Sequence, residues 1–476
     1  MKSMSKNYIF NMLKSVMAIL FPIISFPYAS RVLGVNNIGI VSYCTSIISY
    51  FTLFASLGVS IYATREGAKI KNNQYELNKF SREVLFINLI STGIVYSIFL
   101  VLLFLNTFNG YFIVMLICSL AVWFTTFSIE WLYQLKEDFA YISIRSMIFQ
   151  AISLVLLFVI VRTKNDYPAY AIIQVFASGG SCIFNLYNSK KYVNFFKKTP
   201  LDLKKHLKPI FTIFGVTAAT TIYTNLDTVI LGIFHSTYEV GLYTAAVKMV
   251  TIIRQIVNSL SVVALSRLSH YIGQNNKEEY SKLLKSNFDM NIGLVIPCVV
   301  GMIMLSKYFI LFFSGADYLK ATPASIILSI NVITSVLDGM IYYQILIPNK
   351  MDTKAFIGTC VGAGANIVLN LALVIPFGLE GVAFATLMSE FSVFLVFYFY
   401  LKNNYNFIYL LSELPKALIA CIPIVVICLL GRHFISNTLL LFVICIPLSA
   451  IGYFLLFKLL NGKLANDIFN YIKNKI

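Results

Sequence analysis

Charged side chains are scarce in this chain, and a few stand inside long apolar runs, where each needs a partner or a watery cavity to offset its desolvation. Arg254 is the most central of them. At 3.6 residues per turn, Tyr243, Val247, Thr251, Asn258 and Ser261 share its helical face, which makes a polar stripe about five turns long. A guanidinium on such a wall is a bidentate donor for a phosphate-type anion, or else one half of a structural pair between helices. Lys14 lies a turn or two inside the first apolar run and Arg31 at its far end; each reads as an anion ligand or as a snorkelling anchor at the interface. Asp227 and Lys248 fall on neighbouring runs, as a fixed salt bridge or as a gating pair that breaks and re-forms. Asp338 and Glu390, with Asp227, are the acidic candidates for coupling to an ion. Pro22 and Pro27 interrupt the first run and Pro297 the ninth, where a missing backbone donor permits bending. Gly358 and Gly362 form a G-x-x-x-G pair suited to close helix packing.

The elements that must hold these groups follow from composition. The 476 residues are 58% hydrophobic and 12% charged, with mean hydropathy +0.79, whereas a soluble domain carries about 25% charged residues. Stretches such as "AISLVLLFVIV" are apolar on every side, which excludes the alternating strands of a membrane barrel. A helix of roughly 20 residues crosses the hydrocarbon layer. Spans are predicted at 8–30, 38–62, 84–106, 111–132, 140–162, 168–189, 208–234, 240–265, 288–313, 322–347, 355–376, 379–401, 415–433 and 438–459. Fourteen spans put both termini on one side, and the loops alternate in charge accordingly. Arg65, Lys69, Lys71, Lys79 and Arg82 follow the second span, Lys190 to Lys208 the sixth, and Arg267 to Lys285 the eighth. The opposite loops are nearly bare, so the termini and the basic loops are predicted to be cytoplasmic. That distribution, with no soluble domain to carry a basic face, also accounts for the +17 formal charge without nucleic acid. Trp123, Trp131 and Tyr133 mark an aromatic belt at the inner end of the fourth span. All eight cysteines sit in apolar runs without metal-ligand spacing and read as small buried hydrophobes, with no metal. The first run reads as a retained span, since it is too long for a signal-peptide core and lacks a cleavage site. No P-loop, catalytic triad or soluble carboxylate pair occurs, so no enzyme activity is expected.

The sequence repeats itself. "RVLGVNNIGIVSY" matches "VILGIFHSTYEVGLY", pairing Gly34 with Gly232 and Gly39 with Gly241; Arg65 pairs with Arg267, and Tyr133 and Gln134 with Tyr343 and Gln344. Each copy holds six spans, so the copies face the same way, related by an axis along the membrane normal. The predicted division is 1–190 for the first six-helix bundle, 191–207 for a basic cytoplasmic linker, 208–402 for the second bundle, and 403–476 for two added helices and a tail. The fold class is thus an all-α polytopic membrane protein of about fourteen transmembrane helices, two pseudo-symmetric bundles around a central cleft plus two C-terminal helices.

"FPYASRVLGVNNIGIVSY", "NLDTVILGIFHSTYEVGLYTAAVKM" and the paired Tyr-Gln segments together resemble the O-antigen and capsular polysaccharide flippases of the multidrug, oligosaccharidyl-lipid and polysaccharide exporter superfamily. The resemblance implies translocation of an undecaprenyl-pyrophosphate-linked repeat unit across a bacterial cytoplasmic membrane, with the pyrophosphate as the anion met by Arg254, Arg31, Lys14 and Lys248. It implies membrane lipids, a polysaccharide polymerase and a chain-length regulator as partners. It implies no cofactor, with a Na⁺ or H⁺ gradient or the membrane potential as driving force. Three other readings remain at this point. A cation-coupled drug exporter would need an acidic cavity; a lipid II flippase would be essential for growth; a membrane polymerase would show one large outer loop, and every outer loop here is short.

Overall fold

The computed structural model describes residues 4–105, 107–108, 110–195 and 200–467; the side chains of 4–9, 11, 12, 15, 216, 256–263 and 266 lie outside that description. Among the described residues the chain is helical with no strand. Its contacts divide it into two compact units, Met1–Gly241 and Leu242–Ile476.

The first unit contains α1 (Met4–Ser56), α2 (Val59–Ile70), α3 (Gln74–Phe104), α4 (Phe112–Ser128), α5 (Glu130–Leu135), α6 (Phe139–Ile160), α7 (Tyr167–Gly179), α8 (Cys182–Asn188) and α9 (Lys204–Phe234). Helix α10 (Thr237–Gly273) crosses the division. The second unit continues with α11 (Lys277–Phe313), α12 (Thr322–Ile341), α13 (Asp352–Leu401), α14 (Phe407–Leu410), α15 (Glu413–Ala420), α16 (Ile422–Phe434) and α17 (Thr438–Leu459). Ten stretches of the described residues are long and apolar enough to cross a membrane. Two of them, those containing α1 and α13, each hold two of the predicted spans, because the helix continues on both sides of a non-helical glycine, Gly34 (φ 76°) or Gly378 (φ 49°). With α9 and α10, this arrangement is consistent with fourteen crossings. Helix α1 stays helical through Pro22 and Pro27, and its non-helical residue is Gly34, where the absence of a Cβ lets the backbone take a positive φ without steric penalty.

Two breaks were not visible in the sequence. Leu57 (φ 48°) and Gly58 (φ 72°) separate α1 from α2, and Ile129 (φ 45°) separates α4 from α5. For a β-branched residue the left-handed region costs on the order of 1–2 kcal/mol, and packing offsets it: Ile129, Trp131 and Leu132 are buried in one apolar core with Tyr62, Phe80 and Val84.

That core reaches past the sixth span. Val193 and Ile210 belong to it, Gln74 Nε2 donates to the Tyr192 carbonyl at 2.7 Å, and the Asn194 N–H donates to Asn78 Oδ1 at 3.0 Å. The fully buried Glu83 accepts from the Asp202 N–H at 2.8 Å and lies 2.8 Å from His206 Nε2 and 3.0 Å from Lys205 Nζ. The basic connection is therefore anchored on the first unit, which extends through α9 to Gly241, beyond the boundary at 190 expected from sequence.

The internal repeat has a physical counterpart within the first unit. A Cβ on Gly39 would collide with the Thr237 carbonyl, and one on Gly241 with the Val35 carbonyl. Thr237 stands to Gly241 as Val35 does to Gly39, so the contact is reciprocal, as a local two-fold axis requires. In the second unit, Gly358 and Gly362 leave room for Phe397 and Val393 of the following limb of α13, the close packing expected of that motif.

Six of the eight cysteines are buried, whereas Cys298 and Cys360 are exposed. The expectation that all eight are buried is corrected there: membership of an apolar run does not decide which way a residue on a helix faces, and Cys298 lines a cavity.

Candidate functional site

The break at Ile129 places Glu130 at the start of a new helix, turned towards two cations. Arg145 of α6 donates from Nη2 to Glu130 Oε1 at 2.9 Å, and Lys14 of α1 reaches Glu130 Oε2 at 3.4 Å. Three helices thus converge on one carboxylate. The Arg145 side chain is 8% exposed, those of Glu130 and Lys14 30% and 32%. Two positive charges face one negative, and two further donors of the guanidinium, Nε and Nη1, are buried without a hydrogen-bond acceptor among the described residues. Unmet buried donors of this kind cost free energy that an added acceptor recovers, and the planar fork of Arg suits phosphate oxygens.

Of the expected anion ligands, Lys14 is thus tied into a charged cluster instead of reaching for the interface. Arg31 is exposed on α1. Lys248 and Arg254 both lie on the part of α10 that belongs to the second unit, Lys248 exposed and Arg254 half-buried. On the face predicted for Arg254, the Tyr243 hydroxyl lies 3.4 Å from the Thr386 hydroxyl; the side chains of Asn258 and Ser261 lie outside the described residues. Of the acidic candidates, Asp227 is buried in the first unit beside Tyr50. Asp338 and Glu390, both buried, are neighbours across α12 and α13 of the second unit. The two units therefore present different chemistry, a cation-rich cluster in the first and paired carboxyl groups in the second.

Sequence reasoning passed over Glu130 and Arg145. Both lie within predicted spans, 111–132 and 140–162, so the rule that singled out Arg254 also applies to them. Their meeting with Lys14 depends on the Ile129 break, which no residue type announces.

The second unit also holds an apolar cavity of about 310 Å³ lined by residues of α10, α11, α16 and α17, among them Ile253, Pro297, Cys298, Phe309, Ile446 and Phe454. Its walls suit hydrocarbon and not a charged group. Among the described residues no group of three His, Cys, Asp or Glu could hold a metal ion.

The model of a family described as "Polysaccharide biosynthesis protein" matches residues 4–272, more than half of the chain. The chain belongs to this family. Similar family relatives include a putative O-antigen transporter of Shigella dysenteriae, 24% identical over 81% of this chain and 97% of that protein. A capsular polysaccharide biosynthesis protein, CapF, of Staphylococcus aureus is 21% identical over 84% of this chain and its own full length. Among solved structures, the lipid II flippase MurJ in an inward closed conformation superposes with TM-score 0.72 over 94% of this chain and 97% of its own, at 18% identity. An inward-facing multidrug resistance MATE transporter gives 0.60 over 81% and 96%, at 14% identity. At those identities the structural likeness speaks for the fold: like them, this family member is an all-helical, multi-pass membrane protein.

Proposed function

We propose that the protein is a flippase that moves an undecaprenyl-pyrophosphate-linked oligosaccharide repeat unit from the inner to the outer leaflet of the bacterial cytoplasmic membrane, for O-antigen, capsule or another surface polysaccharide. The observation that carries this reading is family membership across residues 4–272 together with similarity over 81% of the chain to a putative O-antigen transporter. The Lys14–Glu130–Arg145 cluster supports it physically, since it offers an excess of positive charge to a diphosphate while the polyprenyl tail stays in lipid.

The two-copy sequence supports transport by alternating access. A diphosphate bears about two negative charges at neutral pH, and with the interior negative its outward passage releases about 2.3 kcal/mol per charge per 100 mV. The membrane potential thus suffices as a driving force without a nucleotide-driven stroke, and with no chemical step the protein acts as a carrier and not as an enzyme. The basic loops support cytoplasmic termini.

The test is removal of the protein from its host. The lipid-linked repeat unit is expected to accumulate on the inner leaflet while surface polymer disappears and cell division continues. Arrested division with intact polymer would instead identify a lipid II flippase, and a change in drug sensitivity alone a drug exporter.

A further inference from the structure

Helix α9 opens the second copy of the repeat, yet it is seated on the first bundle from its first turn to its end. At the inner end Ile210 lies fully buried in the apolar core with Tyr62, Phe80 and Trp131. The His206 ring, one turn earlier, is 2% exposed. Its Nδ1 lies 2.6 Å from the Tyr62 hydroxyl of α2, and its Nε2 lies 2.8 Å from Glu83 of α3. With the proton on Nε2 the ring donates to the carboxylate and accepts from the phenol, so one imidazole ties α9 to two other helices. Further along, Phe214 packs against Phe54 with ring centroids 5.5 Å apart, and a Cβ on Gly58 would come within 3.0 Å of Ile213. Towards the outer end a Cβ on Gly232 would strike the Tyr43 ring. Just past the helix, the Thr237 hydroxyl donates to Asn36 Oδ1 at 2.6 Å, beside the reciprocal glycine contact.

These contacts differ in kind from end to end. The outer ones are close approaches of small residues, whereas the inner end joins apolar burial to a buried carboxylate. Lifting α9 away there would take Ile210 out of its core and part Glu83 from both the imidazole and the Lys205 ammonium at 3.0 Å. Both losses come in one step, and no partial opening spares either. We propose that α9 is mechanically part of the first bundle, strapped there by His206 and Glu83, and that it stays seated throughout the transport cycle. The strap divides the repeat unequally: the body that moves with the first copy carries a helix of the second. This inference rests on the transport function proposed above. An inner gate opening between α9 and α3 is the opposite reading, and a covalent bridge separates the two.

Lys79 of α3 and Pro209 of α9 line one cavity of about 700 Å³. In a cysteine-free full chain, Lys79→Cys/Pro209→Cys would be bridged in cells with a short, membrane-permeant bis-maleimide, with each single-cysteine variant treated alike as a control. The bridged protein is expected to keep polymer export within about twofold of the unbridged one. A loss of about tenfold or more that the controls do not share overturns the proposal, since α9 would then have to leave α3 for transport. A second measurement is independent of transport. Spin labels on Glu76→Cys and Lys204→Cys, both exposed positions, in the full chain in lipid nanodiscs are expected to report a single distance, with or without inorganic pyrophosphate. Adding His206→Ala/Glu83→Gln should introduce a longer one. Two distances in the parent protein, or no change in that variant, overturn the strap. If the unbridged parent fails to restore polymer in a flippase-deleted strain, the transport reading falls, and the spin-label distances alone decide whether α9 is strapped.

Discussion

Arg145 is the most deeply buried cation of the charged cluster, and its only hydrogen-bonded carboxylate among the described residues is Glu130. Removing one partner of a buried pair costs about 3–5 kcal/mol, because the other charge is left uncompensated. Glu130 keeps part of its surface accessible, so solvent screening brings the expected loss for Glu130→Ala nearer 2–3 kcal/mol. Adding Arg145→Leu should recover most of that loss; thermal melts of the two single variants and the double variant in detergent would show the coupling. Arg254 predicts differently. Half-buried on α10 with no salt-bridging carboxylate among the described residues, Arg254→Ala is expected to leave the melting temperature within a degree or two while abolishing polymer export in a complementation assay; wild-type polymer yield would remove Arg254 from the transport path. Both residues exemplify what sequence can tell at this scale. An ionisable side chain in an apolar run announces itself, but its partner does not, since Lys14, Glu130 and Arg145 come from three helices and are brought together by a backbone break.

At the scale of elements, periodicity and length made the helices legible, and the charge of the loops set their order. What remained hidden was where helices continue and where they stop. Gly34 and Gly378 sit within helices that resume at once, whereas Ile129 and Leu57, which carry no turn signal, divide helices in two. Tertiary packing decides these cases: the apolar core holding Trp131 and Leu132 outweighs the local preference of Ile129. The glycines at the reciprocal contact were legible as repeat partners, though not as a contact. Gly39→Val and Gly241→Val are each expected to destabilise the first unit by about 3 kcal/mol or more, since the obstacle is a backbone carbonyl that cannot rotate away. Ordinary stability of either variant in a melting assay would show that the helices separate at little cost.

Over the whole molecule, the two-copy organisation and the membrane-spanning class were readable from the chain, while the anchoring of the basic loop was not. The loop that looks like a connector is held on the first unit by Glu83, Asn78 and Gln74, all of which lie in a helix more than a hundred residues earlier. Orientation is the molecular property most open to test. In a cysteine-free background, a cysteine at exposed Lys164 is expected to react with a membrane-impermeant maleimide added to intact cells (spheroplasts, if an outer membrane is present), and one at exposed Lys71 to react only after the membrane is opened. Labelling in the reverse order would invert the topology and the direction of transport with it.

The facing pair Gly39 and Gly241 also has a bearing on what the repeat tolerates. Each residue makes room for the main chain beside its counterpart, so in this chain the two positions are constrained together. A change of side chain elsewhere cannot compensate for a blocked carbonyl. The two helices can approach this closely only while both positions lack a side chain.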